Sequence, residues 1–289
     1  MRKLILICLV VLCHTNTTIS QNIKYQINKE LEFAEYLHQN LYFRDATFVL
    51  KKLNNKNQSN SLFSDSVNFL IGRSYFKLPE FDSAYAYFSL VKPMHPYYKS
   101  SKFCLSWMDV RDGHYQKAYS TLIEIETNDI RKEETKWFGL TTASLLNRDF
   151  EKYAAFSSKI KFNILAQEFE KLEKNADDIT HYKNRSPFLA GLYSSIIPGA
   201  GKVYVGKTME GISSFLIVGA LGIYTYESYR IGGIKNFKTI IFGSVFSVFY
   251  VGNIWGSVLS LKRKNDEFKY EMEQNILNDY FYIVDPFVQ

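Results

Sequence analysis

The residues able to do chemistry are few and badly spaced for it. Beyond residue 20 the histidines are His38, His95, His114 and His181, and none stands three or four places from another. A helix-borne metal pair needs that spacing, so no zinc or metallohydrolase ligand set is expected. His95 and His114 adjoin Pro96 and Gly113 and read as solvated turn residues. The carboxylate pairs Glu133-Glu134 and Asp177-Asp178 sit in mixed-charge runs and read as solvated helix faces. No serine, histidine and aspartate set carries a nucleophile motif. Cys104 lies among apolar residues and reads as a core thiol rather than a nucleophile. Pro198-Gly199-Ala200-Gly201 could offer successive backbone N–H groups to an anion. No Gly-Lys-Ser/Thr follows it and no strand is predicted before it, so a phosphate loop is not expected. The expectation is a non-enzyme without metal or cofactor. Net charge is +6, spread along the chain without a basic block, which argues against a nucleic-acid partner.

The elements behind these residues divide the chain sharply. Twelve of the 15 glycines fall between Pro187 and Leu261, with only two acidic residues, Glu210 and Glu227. Thr239 to Leu261 is 23 residues without a charge. Roughly 20 apolar residues suffice for a helix to cross a bilayer core of about 30 Å. Residues 187–261 are therefore expected to be membrane-embedded, with spans at about 209–228 and 239–261. Residues 188–201 are apolar but short and are interrupted by Pro198-Gly199, which suits a re-entrant or interfacial helix. Lys202, Tyr204 and Lys207 are expected at headgroup depth. Gly219-x-x-Gly222 and Gly252-x-x-x-Gly256 offer small faces for close helix contact, and through them a homo-oligomer. Asn253, the one amide in a span, is expected to hydrogen-bond a neighbouring helix.

At the amino terminus, Arg2 and Lys3 precede an apolar run, Leu4 to Cys13, and a polar stretch ending at Ser20. Residues 1–20 read as an export signal cleaved near Gln21, which would remove Cys8 and Cys13 and leave no disulfide. Residues 21–186 form a second, charge-balanced region of helical pattern. Within it Phe81-Asp-Ser-Ala84 recurs 34 residues on as Tyr115-Gln-Lys-Ala118, with Phe43-Arg-Asp-Ala46 before and Phe150-Glu-Lys-Tyr153 after. Leu50, Phe88 and Leu122 follow the small residue by one helical turn, as when the second helix of a hairpin packs on the first.

The set Ile71-Gly72, Tyr75, Ala84, Phe88 and Pro96 resembles a tetratricopeptide repeat. The following repeat keeps Leu105, Ala118 and Leu122 but has Ser106 for the glycine and Asp109 for the tyrosine. The resemblance implies a superhelical array with Gly72 and Ala84 at close helix contacts and a concave face for a peptide or partner helix. Further on, Ser195-Ile-Ile-Pro198-Gly199-Ala-Gly201-Lys202-Val-Tyr204-Val-Gly206, then Glu210-Gly211, resembles a bacterial envelope motif, PG-x-G-Q-x-Y-x-G. That motif also occurs beside the membrane-protein insertion efficiency factor family. Lys202 stands where the motif has glutamine.

The expected architecture is thus all-α: a helical array followed by a membrane hairpin. The charged tail, residues 262–289, is expected to be helical with a docked, extended end around Pro286, on either the membrane face or the array. The expected role is a scaffold in the inner membrane with its array in the periplasm, binding a protein or peptide. A part in membrane-protein insertion, or in an oligomeric transporter, is the alternative. One conflict stands. With two spans, Lys183, Arg185, Lys202, Lys207 and Lys262-Arg263-Lys264 flank the outer side, against Arg230, Lys235 and Lys238 inside. That opposes the positive-inside tendency.

Overall fold

A computed structural model describes residues 25–56, 61–161 and 164–288. The expected export signal, with Cys8 and Cys13, lies outside these residues. The fold is all-α with a C-terminal pair of long apolar helices, and no strand occurs among the described residues. The chain divides into two compact units, Met1–Glu173 with Ile276–Gln289, and Lys174–Asn275.

The first unit is an array of helices packed on their sequence neighbours. They are α1 (25–39), α2 (Phe43–Lys56), α3 (Ser61–Lys77), α4 (Phe81–Ser89), α5 (Tyr98–Arg111), α6 (Tyr115–Ile123), α7 (Ile130–Leu146) and α8 (Phe150–Ser157). The recurring tetrad acquires a structural meaning, because Phe43, Phe81, Tyr115 and Phe150 each open a helix. Before each of them the same turn is made. The amides of Tyr42, Glu80, His114 and Asp149 donate to the carbonyls of Leu37, Tyr75, Asp109 and Ser144, five residues back. This six-to-one closure satisfies carbonyls left over at a helix end and requires a left-handed residue just inside it. Leu41, Gly113 and Arg148 take that conformation, with φ of 66°, 75° and 59°. Only the glycine does so without a Cβ penalty. Asp149 also caps α8, accepting from the Lys152 amide at 3.1 Å. Ala46, Ala84 and Ala118, one turn into their helices, are fully buried. At the start of the array, Ala34 of α1 joins Leu50, Leu53, Val67 and Ile71 in one cluster.

The second unit contains α10 (Pro187–Ile196), α11 (Ala200–Val205), α12 (Thr208–Gly232) and the first part of α13 (Phe237–Val284). Helix α9 (Ala166–His181) leads into it from the first unit. The expected boundary at 186/187 falls inside this second unit, which begins at Lys174. The expected spans fall within α12 and α13, and α13 runs on to Val284 without a break at 261. Residues 262–284 hold no glycine or proline to stop a helix, so the separate tail is one element with the span before it. Its end is not extended. Asp285–Val288 forms a 3-10 turn around Pro286.

Candidate functional site

Two places concentrate the residues singled out by the sequence, one in each unit. In the array, Gly72 of α3 lies so close to α4 that a Cβ there would stand 2.8 Å from the Phe88 ring. Phe88 is 1% exposed, and Leu122 of α6 is fully buried. Tyr75 accepts a hydrogen bond from Lys51 at 2.6 Å and stacks on Tyr87.

What the sequence did not disclose is the occupant of the array. The chain's own last residues, 276–288, lie on α3, α5 and α7. Tyr280 is fully buried, its hydroxyl 2.7 Å from Ser106 Oγ. Burial pushes its phenol pKa well above the usual range. A Cβ on Gly139 would stand 2.3 Å from the Tyr280 hydroxyl oxygen, so α7 carries a glycine where this ring lies. Trp107 Nε1 donates to the Leu277 carbonyl at 3.0 Å. Phe281 stacks on Phe76, and Phe287 on Phe103. Lys77 Nζ holds both carboxylate oxygens of Asp285, at 2.6 and 2.8 Å. Ser106, which breaks the repeat pattern, is thereby explained: with Gly139 it admits Tyr280. The signal available in sequence was this pairing of small residues with an aromatic-rich terminus.

Several residues differ from their expected settings. His95 is buried and bonded to Ser66 Oγ at 2.9 Å, because α3 passes over its turn. His114 is exposed. Glu134 is buried and accepts from the amides of Ile164 and Leu165 at 2.9 and 3.0 Å, so it anchors the segment before α9 rather than facing water. Asp177 and Asp178 are exposed. Cys104 is wholly buried, and desolvation raises its thiol pKa far above the range of a nucleophile. Among the described residues no three His, Cys, Asp or Glu side chains form a group able to hold a metal ion.

In the second unit the Pro198-Gly199 string is a point of backbone contact. Gly199 has φ of 88°, and a Cβ on it would stand 2.0 Å from the Gly211 carbonyl oxygen. At Gly201 a Cβ would stand 1.9 Å from the Ala190 oxygen, and at Gly211 2.6 Å from Val203. These glycines let α10, α11 and the start of α12 touch main chain to main chain. The Gly201 amide donates to Ser194 Oγ at 3.0 Å, and Ser194 Oγ lies 2.8 Å from Ser257 Oγ of α13. Gly206, with φ of 99°, ends α11. The two ends of the α10–α11 hairpin meet: Arg185 donates to the Tyr204 carbonyl, and Lys264 donates to that of Val205 at 3.0 Å. Lys202 Nζ donates to Ser214 Oγ at 2.8 Å.

No family model, curated protein or solved structure matches this chain.

The remaining expectations for this unit divide. Gly222 packs against the Phe246 ring, where a Cβ would stand 3.2 Å away, but nothing lies within 4 Å of a Cβ at Gly219, Gly252 or Gly256. Those three make no close helix contact among the described residues. Asn253 does not bond a neighbouring helix among the described residues: it is 6% exposed, and neither amide atom has a partner there. Helices α12 and α13 are each long and apolar enough to cross a membrane, and only 11% of either apolar stretch is buried. Phe215, Leu216, Ile223, Val248, Val251 and Trp255 are all at least half open or close to it. A core helix of a water-soluble fold would bury most of such a surface.

Proposed function

We propose that the chain is a non-enzymatic, membrane-anchored scaffold of the bacterial envelope. Its tetratricopeptide-like array grips an amphipathic helix, and helices α12 and α13 anchor it in lipid. The observation that carries this reading is the seat of residues 276–288 on α3, α5 and α7. There an aromatic enters a slot floored by Ser106 and Gly139, an indole donates to a helix carbonyl, and a lysine holds a carboxylate. Helix-in-groove recognition uses this set of contacts: apolar anchors one or two turns apart with a charged pair at the edge. The chain's own terminus is the resident occupant, and a partner helix with a similar anchor competes for the same seat. The export-signal reading of residues 1–20 puts the array on the periplasmic side of the inner membrane.

Site-specific photo-crosslinking tests this in the full-length protein in cells. A photoreactive residue replaces Lys77 at the groove or Phe48, which is 71% exposed on α2. In the otherwise intact chain, position 77 reacts within the chain. Tyr280→Ala removes the anchor and weakens docking by about 3 kcal/mol, the scale for emptying a buried aromatic site. Adducts to a second protein should then rise at position 77 and not at 48. Equal adducts at both positions, or none at 77 in a variant that keeps its helical content, would overturn the reading.

A further inference from the structure

A buried amide without a partner is costly, and in lipid there is no bulk water to relieve it. Among the described residues Asn253 presents both an unpaired donor and an unpaired acceptor. It lines a cavity of about 350 Å3 together with Lys202, Ser214, Val248, Phe249 and Gly252. Lys202 gives one hydrogen bond, to Ser214, and makes no ion pair among the described residues. An ammonium group carries three donors, so a cation with unspent hydrogens stands at one part of this cavity. Exposed apolar side chains, Val248 at 70% and Phe249 at 49%, stand at another. Gly252 leaves the floor open, since a Cβ there would meet nothing within 4 Å.

We propose that this cavity seats an anionic glycerophospholipid. Its phosphoryl oxygens face Lys202, a headgroup hydroxyl and ester oxygen satisfy the two ends of the Asn253 amide, and an acyl chain lies over Val248 and Phe249. The charge selects the phosphoryl group, and the apolar rim selects a lipid over a free anion. A zwitterionic choline lipid offers the phosphate but no headgroup donor for Asn253 Oδ1, and its own cation repels Lys202. The proposal rests on the membrane reading of α12 and α13.

Native mass spectrometry of the full-length protein in detergent tests it, with phosphatidylglycerol, phosphatidylcholine and inorganic phosphate as probes. Phosphatidylglycerol should be retained over phosphatidylcholine by about fivefold, the effect of one lysine at an anionic surface. Lys202→Gln keeps a donor for Ser214 and should narrow the preference, leaving only the share owed to the Asn253 contact. Gly252→Leu fills the cavity without touching a polar contact and should abolish retention while helical content is unchanged. Equal retention of both lipids by the parent chain, a preference that survives both variants, or displacement of lipid by inorganic phosphate at equal concentration would each overturn the lipid site. A chain that proves monodisperse without detergent would instead overturn the membrane reading beneath it.

Discussion

His38 shows how burial turns an ordinary residue into a measurable one. It is 7% exposed between α1 and α3, in edge contact with Phe43. Burial lowers its pKa from 6.5 to about 4. Arg73 and Lys77 add to the drop, and Glu35, paired with Arg73, opposes it. The sign follows from proton counting. Between pH 6.5 and 4 the unfolded chain binds a proton that the folded chain does not, so stability rises with pH across that window. It is fully present above the unfolded value and declines as pH falls toward the folded one. The array should lose on the order of 2 kcal/mol from this group between pH 7 and pH 4.5. His38→Gln should flatten that part of the pH profile, read as the denaturant midpoint of the full chain in detergent. An unaltered slope in the variant would refute the assignment.

At the scale of elements, the paired short helices α10 and α11 make a sharper prediction. Their crossing depends on the bare α-carbon of Gly201. A methyl at Gly201 would overlap the Ala190 carbonyl and the Ser194 hydroxyl, which already ties α11 to Ser257. Gly201→Ala should therefore cost about 1–3 kcal/mol, as overpacking does. Gly219→Ala, where a Cβ meets nothing, should be neutral or stabilising by up to about 1 kcal/mol, since alanine favours a helix interior. Thermal midpoints in detergent separate the two. If Gly201→Ala melts with the parent, the crossing is not as tight as the main-chain contacts require. This contrast also marks what could be read from sequence. The string from Pro198 to Gly211 announced a break, because proline and glycine act locally. The tetrads beginning at Phe43, Phe81, Tyr115 and Phe150 announced a recurring helix-packing unit, and the structure adds that each opens a helix. Burial at His95 and Glu134 stayed hidden, since each is created by a segment distant in sequence, α3 in one case and residues 164–165 in the other. Tyr280 was hidden most deeply. Its slot is assembled from Ser106 on α5 and Gly139 on α7, and Ser106 alone reads as a lapse in a repeat.

For the molecule as a whole, the docked terminus constrains how the chain threads a membrane. Residues 276–288 pack within the same compact unit as α3, α5 and α7, so both must lie on one side of any bilayer. The number of crossings between them is then even. On the proposed membrane anchoring, helices α12 and α13 supply two, and the α10–α11 hairpin enters and leaves by one face. Arg185 and Lys264 bonded to adjacent carbonyls at the end of α11 are what such a hairpin requires. A third crossing by residues 188–201 would satisfy the positive-inside tendency, but it would part Tyr280 from Ser106. Single cysteines test the arrangement at Asn147 on the array, Lys235 between α12 and α13, and Glu271 on α13, all exposed. Cys104 adds little background, because burial keeps its thiol protonated and shielded. A membrane-impermeant maleimide on intact spheroplasts should label positions 147 and 271 alike and leave 235 protected until the membrane is opened. Labelling of 235 with 147 would mean that α12 and α13 do not cross. Labelling of 147 without 271 would mean an odd number of crossings, and the seat for Tyr280 would then be open to another protein's helix.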